Sequence, residues 1–279
     1  ALPRMKRYME VSANIYSTYL KYISSDDIHV YSVDECFLDI TSYLKPYNKT
    51  PKEMVLMLTQ AVYQETGVTA TAGIGSNLFL AKIALDITAK HVEDHIGILD
   101  EASFKATLWH HQPITDIWGI GHGIAARLEK YGVVDLHGIT QINEKVLYKE
   151  FGINAEYLID HANGIEPCTM KEIHDYKSKS SSLSNGQILF EDYKYDDALL
   201  VMKEMVDLLV LELVEKHLVI DSVSMGVGYA TETEKYTGGS RKFGEFTNSY
   251  KKIVGHIEDL YHETTKQHTP FRRLSISFG

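Results

Sequence analysis

Two adjacent acids are the residues best placed to do chemistry. Asp34 and Glu35 lie in HVYSVDECFLDIT, residues 29–41, between two β-rich runs, Ile28–Val33 and Cys36–Ile40. Neighbouring side chains on a flat strand point to opposite faces, so mid-strand the pair could not share a site. At a hairpin tip the backbone turns and both carboxylates can converge. Two carboxylates on a rigid tip suit a hard divalent cation such as Mg2+, which takes oxygen ligands and often substrate phosphates. Such a centre activates a nucleophile and stabilises an in-line phosphoryl displacement. The same dipeptide also fits a plain solvated turn. Asp39, further along the second run, reads as structural.

Three further features bear on phosphate chemistry. TAGIGSNLFLAKIALDITAK, residues 71–90, reads as a strand, a Gly-Ser turn and a helix ending near Lys90. A lysine near paired acids can hold a triphosphate, and a helix-terminal lysine can equally serve the helix dipole. ITDIWGIGHGIAARLEKYGV, residues 114–133, reads as an apolar helix, a turn at Gly119, Gly121 and Gly123, and a second helix. Glycines there allow a tight turn whose N–H groups welcome an anion, or an ordinary helical hairpin. Three basic pairs, Lys177/Lys179, Arg241/Lys242 and Arg272/Arg273, lie at or beside strand starts near the carboxyl end and could line up as a basic stripe. Among thirteen histidines, His91 and His95 are spaced i,i+4 without the helix context of a zinc protease, and His110 and His111 read as surface residues.

These residues need a scaffold of mixed type. Up to residue 110, helical periodicities alternate with short strands and a hairpin, an α+β pattern. Residues 111–170 hold short helices broken by glycines. The polar stretch 171–184 reads as a linker, and 185–279 runs β-α-β-β-α-β, a split βαβ sandwich. The chain has 279 residues, enough for several domains. Its net charge is −10 and no segment is basic overall, which by itself argues against a nucleic-acid partner. No run approaches the ~20 apolar residues of a membrane span. Two cysteines make no disulfide scaffold, so the reading is a reducing cytoplasm.

Taken together, the chain resembles the Y-family translesion DNA polymerases, the UmuC and polymerase IV group. YSVDECFLDIT (31–41), TAGIGSNLFLAKIALDITAK (71–90), ITDIWGIGHGIAARL (114–128) and RRLSISF (272–278) carry the match, in the order palm, helix-hairpin-helix thumb, little finger. The resemblance implies damage-tolerant, template-directed DNA synthesis, two Mg2+ ions, and primer–template DNA and dNTP as partners. Asp34 would bridge the ions and Glu35 help hold the one that activates the primer 3′-hydroxyl. Lys90 would meet the triphosphate, the glycine turn a primer phosphate, and the basic pairs the duplex.

The resemblance further implies that roughly 70 or more residues, one small domain's worth, belong before Ala1. These would carry a third metal-binding carboxylate, a palm strand beside the acidic hairpin and the fingers, so the chain alone is expected to be inactive. Sliding-clamp binding would use a segment not in this chain, and the working enzyme would associate with the nucleoid in a damage (SOS) response. Two other classes compete: a non-catalytic DNA-binding module, and another palm-fold enzyme such as a nucleotide cyclase. A relic has no reason to keep both acids at the tip, and a cyclase needs no duplex grip.

Overall fold

The computed structural model describes residues 3–178, 181–231 and 233–279. The chain divides into two compact units, 1–176 and 177–279.

The first unit opens with helix α1 (Met5–Tyr19), followed by the antiparallel strands β1 (Ile28–Val30) and β2 (Cys36–Leu38). The strands are shorter than the β-rich runs in the sequence, because residues 31–35 form the turn. Helix α2 (Pro51–Thr66) starts with a Thr50/Glu53 capping box and proline in its first turn, and stops at Gly67, whose φ of 70° suits a residue without a Cβ. Ile23, Ile28, Met54, Leu58 and Val62 bury α2 against α1 and the hairpin.

Next comes a right-sized βαβ unit: β3 (Ala72–Gly75), α3 (Leu78–Asp86) and β4 (Ile96–Leu99), the strands parallel. Asn77 caps α3 by accepting from the Leu80 N–H. Helix and strands approach so closely that a Cβ on Gly97 would stand 2.1 Å from the Ala84 carbonyl oxygen. α4 (Glu101–Thr107) is followed by α5 (His122–Glu129), α6 (Leu136–Thr140), α7 (Glu144–Phe151), α8 (Ala155–Ala162) and α9 (Met170–Asp175). One core, from Phe79 and Leu80 through Phe104 and Leu128 to Ala162, joins α3 to these helices. It runs across residue 110, where the sequence suggests a domain edge.

Two local expectations need correction. The helix expected to lead into the glycine turn is a single 3-10 turn, Ile114–Asp116. Ile114, Ile117 and Ile120 are buried at three-residue spacing, which a 3-10 turn satisfies. Residues 171–175, expected in a linker, are helical: Thr169 and Glu172 form a capping box and Met170 buries its side chain.

The second unit has the expected order: β5 (Leu183–Tyr193), α10 (Tyr195–Glu215), β6 (Ile220–Tyr229), β7 (Thr237–Thr247), α11 (Tyr250–Thr264) and β8 (Phe271–Phe278). Its sheet runs β5-β8-β6-β7, antiparallel throughout. Alternation along the strands sends Val223, Val227, Leu274 and Phe278 into the core against both helices and leaves the other sheet face open.

Candidate active site and DNA-binding surfaces

The acids stand where the hairpin turns. Both the Tyr31 and Ser32 N–H groups donate to the Glu35 carbonyl, at 3.0 and 3.1 Å, closing the turn. The Ser32 hydroxyl donates to Asp34 Oδ1 at 2.7 Å and accepts from the Asp34 N–H, which fixes the exposed aspartate. Glu35 is half-buried, and its Oε2 accepts from Lys82 Nζ at 2.8 Å. Lys82, near the middle of α3, also donates to Asp86 Oδ1 at 2.9 Å and is buried. Burial pulls the Lys82 ammonium down, but its bonds to Glu35 and Asp86 outweigh this and its pKa is raised. Asp39, as expected, is structural: it accepts from the Thr41 N–H at 3.0 Å.

An aromatic patch ties the hairpin to the glycine turn. The Trp118 indole donates to the Tyr31 hydroxyl at 3.0 Å, and Tyr31, Phe37 and Trp118 pack with centroids 5.7 to 6.1 Å apart. Trp118 also stacks on His161, which stacks on Phe79 at the start of α3. The tip, α3 and the turn are thereby held in one frame. Gly119 adopts φ 87°, and Gly121 is the N-cap of α5, where no side chain caps the exposed N–H groups. A Cβ on Gly121 or Gly123 would meet nothing within 4 Å.

Lys90 sits exposed on a 3-10 turn after α3, and no bond joins it to Asp34 or Glu35 among the described residues. The lysine that reaches Glu35 is Lys82, 47 residues away in sequence. β2 and β3, each paired on one edge within a two-stranded sheet, line a cavity of about 420 Å³ with Glu35 and Lys82 at its wall.

In the second unit the basic pairs do not form one stripe. Register places Arg241 in the row of Val223 and Phe278, on the helix side. There its guanidinium meets Asp259 at 3.2 Å and Glu263 at 2.7 Å on α11. Lys242 is on the open face, 3.2 Å from Asp221. Arg272 pairs with Asp192 at 3.3 Å, while Arg273 meets the Tyr236 hydroxyl at 3.1 Å. Lys177 is exposed, and Lys179 lies outside the described residues. What the sequence did not reveal is the open face itself. Register aligns Ser184, Ser277, Ser224 and Ser240 in one row across all four strands, and Gly186, Ser275, Gly226 and Gly238 in the next. Ile188, Arg273 and Gly228 continue it.

The comparisons agree with this architecture. Residues 1–86 match the impB/mucB/samB family, and residues 180–279 match that family's C-terminal domain. The chain is 30% identical to DNA polymerase IV 2 of Bacillus subtilis (strain 168), over 99% of this chain and 66% of that protein. It is 28% identical to the putative UV-damage repair protein UvrX of the same organism, over 82% of this chain and 54% of the relative. The fold is that of a Y-family DNA polymerase chimera, with a TM-score of 0.75 at 22% identity, covering 99% of this chain and 76% of that one. The chain belongs to the impB/mucB/samB family, the Y-family polymerases of the UmuC and polymerase IV type. It spans between about half and two thirds of the length of these two relatives. No helix among the described residues is long and apolar enough to cross a membrane.

Proposed function

We propose that the protein takes part in template-directed nucleotidyl transfer on primer–template DNA, copying past damaged template bases. The observation that carries this reading is the Asp34–Glu35 tip, raised on a hairpin and braced by Lys82. The donor set fits Mg2+: among the described residues Asp34 Oδ2 and Glu35 Oε1 accept no hydrogen bond, and Asp34 is open to solvent. When bound, Mg2+ supplies activation of the primer 3′-hydroxyl and neutralises charge on the triphosphate. Asp34 and Glu35 hold the ion. Lys82 holds the Glu35 carboxylate in place through its 2.8 Å bond to Oε2. Lys90 is the proposed contact to the incoming dNTP.

The remaining surfaces suit a duplex. The uncapped amino end of α5 offers N–H groups to one backbone phosphate. The serine and glycine rows of the second unit let a nucleic-acid backbone approach the sheet closely and offer hydroxyl donors, with Arg273 and Lys242 supplying charge. A strand laid in the cavity would join the sheets of β2 and β3, as the family resemblance implies.

The test is primer extension with Mg2+ and dNTPs, on undamaged and abasic templates. The chain is grafted into the Bacillus subtilis DNA polymerase IV 2 in place of the stretch it matches. Extension that is lost in Asp34→Asn and Glu35→Gln grafts, with DNA binding retained, supports the reading. Grafts that bind DNA yet extend nothing even with both acids intact would favour a binding module.

A further inference from the structure

Away from the acidic tip, the fold gathers His110, Asp135 and His137, and one donor atom of each lies within 4.8 Å of the other two. The three come from two separate pieces of chain. His110 follows α4, Asp135 is the N-cap of α6, and His137 lies in the first turn of that helix. The pieces are tied by a backbone bond from the His137 N–H to the Trp109 carbonyl at 3.0 Å.

We propose that these residues form a Zn2+ site with room for an exogenous ligand. Two imidazoles and one carboxylate are a borderline donor set, which favours zinc over the hard Mg2+ of the tip. Two donors on one tetrahedral zinc stand about 3.3 Å apart, given metal–nitrogen bonds of ~2.0–2.1 Å. His110 Nδ1 and Asp135 Oδ2 are already 2.9 Å apart. The His110 and His137 rings are 4.7 Å apart between centroids. His110 is two-thirds exposed, with 67% of its side chain open, so a small rotation of its ring closes the set.

The surroundings favour binding. Asp135 Oδ1 accepts from the Gly138 N–H at 2.7 Å, which leaves Oδ2 as the donor and holds the carboxylate still. The His137 ring packs edge-on to Trp109 at 4.7 Å, and the Trp109 indole donates to the Ala162 carbonyl at 2.8 Å. His111, next in sequence, is committed elsewhere, 3.0 Å from Asp116. Three protein ligands leave a fourth position for water. The ion would clip the end of α4 to the start of α6, so it stabilises the helical region by mass action.

Trp109 reports on the site, since the chain has two tryptophans and Trp118→Phe removes the other signal. The experiment titrates this chain with Co2+, following visible absorption and Trp109 fluorescence, then displaces the Co2+ with Zn2+ and records thermal melts. Expected, apart from any Co2+ held at the acidic tip, are one saturable Co2+ that quenches Trp109, its displacement by Zn2+, and a Zn2+-dependent rise in Tm. His110→Ala, an exposed change, should weaken binding at least ~10-fold and abolish the rise without altering the metal-free melt. Asp135→Asn keeps a capping oxygen and should likewise weaken binding. A His91→Ala/His95→Ala chain should bind as the parent does. Equal affinity in the parent and His110→Ala chains, or saturable binding that leaves Trp109 unquenched, would overturn the site.

Discussion

Lys82 Nζ lies 2.8 Å from Glu35 Oε2 and 2.9 Å from Asp86 Oδ1, so one buried ammonium joins the acidic tip to α3. Lys82→Met leaves two carboxylates without their partner. Breaking a fully buried pair costs about 3–5 kcal/mol, but both acids here are about a third exposed, so the expected loss is about 1–3 kcal/mol. Urea unfolding of the two chains measures it, and an unchanged midpoint would show that the ion pairs contribute nothing.

The raised pKa of Lys82 also sets a pH direction. Its stabilising contribution is complete below the ordinary lysine value and is lost as pH rises through the folded one. Alkaline unfolding of the parent should therefore be steeper than that of Lys82→Met, read from melts across the alkaline range. Parallel curves would contradict it.

The two cysteines should differ in reactivity. Burial pushes the Cys36 thiol up to about 11; a Tyr19 hydrogen bond opposes this and the Glu35 charge adds to it. Cys168 is exposed, its thiol raised by partial burial and by the charges of Glu166 and Glu172. At pH 8 a thiol of pKa 11 is roughly one part in a thousand thiolate, so Cys36 should label far more slowly than Cys168 until the chain unfolds. Mass spectrometry after timed alkylation reads the order, and simultaneous labelling would contradict it.

Two glycines should respond in opposite senses to alanine. At Gly97 the new methyl meets the Ala84 backbone, so Gly97→Ala should cost about 3 kcal/mol or more, beyond ordinary overpacking. At Gly255, inside α11, nothing stands within 4 Å, and alanine should stabilise by ~0.5–1 kcal/mol. Thermal melts separate the two. A neutral Gly97→Ala would mean that the βαβ unit packs less closely than described.

Arginine roles divide by sheet face. Arg273→Ala should weaken duplex binding and lower the slope of log affinity against log salt by about 1. Arg241→Ala, whose guanidinium is held by Asp259 and Glu263, should leave that slope unchanged. Anisotropy titrations at several salt concentrations decide. The reverse order would place the duplex on the helix side.

Much of this was legible in sequence wherever a local pattern specifies a local structure. The acidic tip stood out between two β-rich runs, and the second unit's strand and helix order followed its hydrophobic periods. The partner of Glu35 was not legible, because Lys82 meets it through the packing of α3 on the hairpin, not through spacing. Lys90 drew the triphosphate role from the family resemblance and from an expected place near the acids, and the dipole role from ending an apparent helix, yet α3 stops at Asp86. His110 read as a surface residue and is exposed; its neighbours Asp135 and His137 were not legible because they follow 25 and 27 positions later. α9 had a readable signal in Thr169 and Glu172, masked by the polarity of the residues around it. Arg241 and Lys242 looked like one basic pair, but strand alternation sends them to opposite faces.

The central claim is that Asp34 and Glu35 form a divalent-cation centre. It is tested most directly by titrating Mn2+, a spectroscopic stand-in for Mg2+, into this chain and following water-proton relaxation. A His110→Ala background keeps the histidine cluster out of the signal. The account predicts saturable Mn2+ binding that Mg2+ displaces and that Asp34→Asn and Glu35→Gln each weaken at least ~10-fold. Mn2+ binding unchanged by either acid substitution would contradict it.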